Sequence, residues 1–83
     1  MSQQAEALFI QARAVIANVT ADMMQKGIPD FVCLAALGAT AGNLIGLNHP
    51  NEEHGSIIES MREPMLTSAR AARKLKDTIV KPA

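Results

Sequence analysis

Phe31 to Leu47 reads FVCLAALGATAGNLIGL, and this stretch decides the fold class. It carries no charge over 17 residues. Leu34, Leu37, Ala41 and Leu44 recur at the three- and four-residue spacing of one helix face. Ala35, Gly38, Ala39, Gly42 and Gly46 occupy the other. A helix apolar on all sides is one that is buried on all sides. The length falls short of the roughly 20 residues a membrane span needs, and Thr40 and Asn43 dilute it. The expectation is a core helix over about 30–47 and not a membrane span.

The breakers on either side set its limits. Gly27-Ile28-Pro29-Asp30 precedes it and Asn48-His49-Pro50-Asn51 follows. Asp30 is placed to cap the helix start, because its carboxylate can accept the orphan amides of the first turn.

Outward from these turns lie two more helical segments. The first spans about 3–26. Ala5, Leu8, Phe9, Ala12, Val15, Ile16, Val19 and Met23 share one face, and Gly27 supplies the stop. Its flank is polar yet uncharged: Gln4, Gln11, Asn18 and Gln25 repeat every seven residues. The third segment spans about 50–80, with an apolar stripe of Ile58, Met61, Met65, Ala69, Ala72, Leu75 and Ile79. Pro64 lies inside it. Proline lacks the amide donor and clashes with the carbonyl four residues back. A kink is expected there, or a break that leaves Pro64 in the first turn of a new helix. No run alternates apolar with polar residues, so no strand is expected. The fold expectation is all-α, a single domain over 1–83 arranged as a three-helix up-down-up bundle.

Size makes self-association part of that expectation. A chain of 83 residues buries only about 60–65% of the surface its unfolded form exposes. Yet 48% of these residues are hydrophobic, more than so small an interior can hide. A homodimer or higher oligomer would cover the remainder. The ridge Gly38-xxx-Gly42-xxx-Gly46, with Ala35 beside it, is the candidate packing surface. Each glycine inside a helix costs about 1 kcal/mol relative to alanine, so three on one face need a compensating contact. Removing side chains lets another backbone approach. That backbone could belong to the same chain or to a second copy, or the opened surface could receive a ligand.

Other features exclude functions more than they assign them. Eight basic and eight acidic residues cancel, which argues against nucleic acid as a partner. Two phenylalanines and no Trp or Tyr leave little to stack on bases. One cysteine, Cys33, cannot form an intrachain disulfide, which fits a reducing, cytoplasmic compartment. Met1-Ser2-Gln3-Gln4 lacks the basic start of a signal peptide.

His49 and His54 are five residues apart with Glu52 and Glu53 between them. Zinc-binding helices space their histidines by four residues with the glutamate next to the first, or use His-x-x-Glu-His, and neither pattern is met. No metal or other cofactor is expected. Cys33 has no histidine near it in sequence, and Ser56, Ser60, Thr67 and Ser68 form no nucleophile–base pattern. No phosphate-binding glycine loop is present, because Gly42 is followed by Asn43 and Leu44. The Asp-Ser-Leu attachment site of the helical carrier proteins is absent. No enzyme is expected.

The third segment is electrically lopsided. Glu52, Glu53, Glu59 and Glu63 fill its first half; Arg70, Arg73, Lys74, Lys76 and Lys81 fill its second, opposed only by Asp77. Matching the helix dipole explains this arrangement. A stripe for an anionic ligand or a partner protein is the functional alternative. The sequence therefore reads as a non-enzymatic intracellular helical protein that acts through protein–protein contacts, of the kind phage and accessory genomes encode. Its partners would be itself and another protein. The alternative is an oligomer that sequesters an anionic, nucleotide-like molecule.

Overall fold

The computed structural model describes residues 2–80, of which the side chain of Val80 is left aside. The chain is all-α. Four helices follow one another: α1 (Gln3–Gln25), α2 (Asp30–Asn48), α3 (Asn51–Ser60) and α4 (Arg62–Val80). No strand occurs among the described residues.

Each boundary has a local cause. Ser2 caps α1: its backbone is extended and its hydroxyl accepts from the Ala5 amide at 3.1 Å. At the other end Gly27 adopts φ +91°. The Ile28 amide donates to the Met23 carbonyl at 3.1 Å and the Gly27 amide to Met24, also at 3.1 Å. This paired closure needs a left-handed residue, which glycine supplies without steric cost.

α2 differs from the sequence expectation at its start. The Pro29 carbonyl accepts from Val32 and from Cys33, both at 3.1 Å, so Pro29 occupies the cap position. Asp30 is the first helical residue and acts on the dipole through its charge. Pro50 begins α3 in the same way, with extended dihedrals and its carbonyl accepting from Glu53 at 3.0 Å.

The third segment is broken into α3 and α4. The interruption falls at Met61, one residue past Ser60, whose carbonyl is the one the Pro64 ring would strike in a continuous helix. Met61 keeps helical dihedrals, and its amide donates to Ile58 in a tighter three-residue turn. Pro64 then sits in the first turn of α4, where its missing donor costs little.

The chain forms two compact units, Met1–Gly42 and Asn43–Ala83, with the division inside α2. In the first, cover gathers at the α1–α2 turn. Cys33 is buried and its thiol lies 3.9 Å from the Ile28 carbonyl; Met23 and Ile28 are half-buried. α1 itself buries no residue. In the second, Ile45 is buried, and His54, Ile57 and Leu66 are half-buried. α3 and α4 touch each other there. Cys33 and Ile45 are the only buried hydrophobic residues among those described.

Candidate functional site

The glycine ridge lies open on α2. A methyl group built at Gly38, Gly42 or Gly46 would meet no atom within 4 Å among the described residues. Within either compact unit no other helix comes within 4 Å of the ridge. Ala35 beside it is exposed, as are Leu34, Leu37 and Leu44 around the helix. At Leu47 exposure reaches 84%. Thr40 turns its hydroxyl inward to the Ala36 carbonyl at 2.8 Å, so it presents little polarity outside. α2 is also long and apolar enough to cross a membrane by length and composition, the one such helix among the described residues.

α1 presents a second apolar surface. Leu8, Phe9, Val15, Ile16 and Val19, which share its apolar face, are each more than half exposed. The residues that sequence reasoning grouped into one stripe are thus exposed from Leu8 to Val19, while Ala5 and Met23 at its ends are half-buried. Its charges are few: Glu6, Arg13 and Asp22. Asp22 is engaged by Lys26 at 2.9 Å across one helical turn.

The basic residues of the last helix are placed together in part. Arg70, Arg73, Lys74, Asp77 and Thr78 line one open cleft along α4. Asp77 pairs with Arg73 at 3.2 Å and not with Lys74, the neighbour its spacing had also allowed. Both side chains are well exposed, so this pair contributes little to stability. Lys76 lies outside the cleft lining. Lys81 lies outside the described residues. Thr78 donates its hydroxyl to the Lys74 carbonyl at 2.9 Å, which leaves the cleft two cations, Arg70 and Lys74, without an ion pair among the described residues.

His54 has a structural task that its spacing did not reveal. Its Nε2 lies 2.9 Å from the His49 carbonyl, so it donates across the α2–α3 turn and ties the end of α2 to α3. The signal lay in the five-residue interval around Pro50, which brings the ring back over the turn. Among the described residues no group of three His, Cys, Asp or Glu side chains is positioned to share a metal ion.

No family model, curated protein or solved structure matches the chain.

Proposed function

We propose that the protein is a non-enzymatic helical interaction protein whose working form is a homo-oligomer. The observation that carries this reading is the exposed apolar surface. The accessible area is 7287 Å². A compact chain of 8.8 kDa exposes about 4,800 Å². Two separate compact bodies of half that mass would together expose about 5,800 Å². Against the second, more generous reference, which takes the two units separately, some 1,500 Å² remain in excess. A standard interface takes about 800 Å² from each partner, and obligate ones take more. In the oligomer the exposed apolar faces of α1, α2 and α4 become covered. Gly38, Gly42 and Gly46 let a neighbouring backbone come close. Sedimentation equilibrium at low micromolar concentration should give a multiple of 8.8 kDa. A stable monomer with native-like helicity would overturn the proposal.

The composition of α2 supports a second reading, in which this helix enters a bilayer. Nineteen helical residues reach about 28 Å, close to the roughly 30 Å hydrocarbon core. Against it stand the three glycines and Asn43. Flotation of the purified protein with lipid vesicles, set beside the mass measurement in detergent-free buffer, separates the two. A third role, holding an anionic ligand, rests on the open cleft at Arg70 and Lys74. It predicts binding of a nucleoside phosphate that weakens as salt rises.

A further inference from the structure

We propose that α1 pairs with α1 of a second copy in an antiparallel coiled coil, an inference that rests on the homo-oligomer reading and adds its surface and direction. Written as heptads, α1 places Ala5, Ala12 and Val19 at a, Leu8, Val15 and, at the helix end, Asp22 at d, and Phe9, Ile16 and Met23 at e. The remaining flank position, g, holds Gln4, Gln11, Asn18 and Gln25. One side of the seam is therefore apolar and the other is made of side-chain amides. No residue of α1 is fully buried within its own chain, and the seam from Leu8 to Val19 is exposed, with Ala5 and Met23 at its ends half-buried.

These two flanks fix the direction. In a parallel pair each g position faces an e position of the partner. That would set Gln4, Gln11 and Asn18 against Phe9, Ile16 and Met23, leaving amides desolvated against apolar groups. In an antiparallel pair g faces g and e faces e. Gln11 then meets the partner's Asn18, and Gln4 the partner's Gln25. An amide carries both donors and an acceptor, so amide pairs satisfy each other without a charged partner. On the other side Phe9 meets the partner's Ile16. The same register layers Leu8 with the partner's Val19 and Ala12 with the partner's Val15. The core layers are centred between Arg13 and Ala14 and the flank pairs fall within about one residue of that point on either side, as one two-fold axis through the seam allows.

The occupant is a second copy because the seam is complementary to itself. Glu6 and Arg13 fall at b, away from the seam, and Asp22, at its last d position, is answered within its own helix by Lys26 at 2.9 Å, so its charge does not call for a different partner of opposite sign. The uncovered area of the chain exceeds what one partner contributes to a standard dimer interface.

Spin labels test the direction without disturbing the seam or its flanks. Ala7→Cys and Ala14→Cys, both at c, are made separately in a Cys33→Ala background and labelled, and the separation within the oligomer is measured by double electron–electron resonance. In the antiparallel register the two Ala7 positions are 13 residues apart along the axis, or about 20 Å, and the two Ala14 positions one residue apart, or about 2 Å. With the interhelical spacing of about 8–10 Å added, the expectation is a separation about 10 Å longer at Ala7 than at Ala14. Equal distances at both positions would mean a parallel seam and overturn the proposal. An oligomer of unchanged mass with both separations long would show that α1 is not its interface, and would leave the homo-oligomer reading standing. A monomer by mass would instead remove that reading, and this proposal with it.

Discussion

Gly27 and Gly42 are the same residue in different situations, and substitution tells them apart. At Gly27 φ is +91° and nothing lies near a new methyl, so the cost of Gly27→Ala is conformational alone. About 1–2 kcal/mol of stability should be lost in thermal melting, and Gly27→Asn should lose less. At Gly42 the backbone is ordinary helix and the surrounding space is empty in the single chain. If the chain worked alone, Gly42→Leu would stabilise it by nearly 1 kcal/mol through helix propensity. If the ridge meets another backbone, the same change overpacks the contact and costs about 1–3 kcal/mol. The expected result is a lower melting temperature and a smaller oligomer mass, so the sign of the shift decides the matter. Asp30 shows where reading by residue stops short. Its carboxylate suits a cap, but the Pro29 carbonyl already accepts the first amides, and a proline's carbonyl cannot be told from any other in the sequence.

Helices were legible as elements because their causes are local. Ser2, Gly27, Pro29 and Pro50 mark ends through hydrogen bonds that close within a few residues. That the third segment is disturbed near Pro64 was legible for the same reason, since the ring acts on the carbonyl four residues before it; whether it kinks or breaks was left open, and it breaks into α3 and α4. Pro64→Ala should let α3 and α4 merge into one continuous helix, which circular dichroism would register as added helicity. The change in stability should stay within about 1 kcal/mol, because proline in a first turn forfeits little. The charge on α4 is another element-scale feature. Arg70→Glu with Lys74→Glu removes the cleft's two cations that lack an ion pair. Both lie more than a turn before the end of α4, beyond the reach of its dipole, so the double change should cost little stability and leave the oligomer mass unchanged. Isothermal titration with a nucleoside phosphate on the parent chain and on this double variant then shows whether the cleft binds anions at all. Which cation Asp77 takes was not legible: Arg73 and Lys74 both stand within one turn, and the choice of Arg73 depends on side-chain rotamers.

At the scale of the molecule, what covers the apolar faces was not legible, since composition reports how much apolar surface exists and not where its partner lies. Leu8, Val15, Leu34 and Leu44 were assigned to inner faces by periodicity, yet within one chain they stay more than half exposed. Periodicity identifies a face that must be buried and is silent on whether the burying surface belongs to the same chain. This has a thermodynamic consequence that can be measured. If folding and association are one process, unfolding releases separate chains and stability depends on protein concentration. For a dimer each tenfold rise in concentration adds about 1.4 kcal/mol per mole of dimer at room temperature. With the unfolding entropy of two such chains, that raises the melting midpoint by about 3–6 °C per decade. Scans across two decades should therefore shift the midpoint upward by about twice that amount, with a single cooperative transition throughout. A midpoint independent of concentration would mean that the chain folds before it associates, and that the bare faces of α1 and α2 are closed within the chain itself.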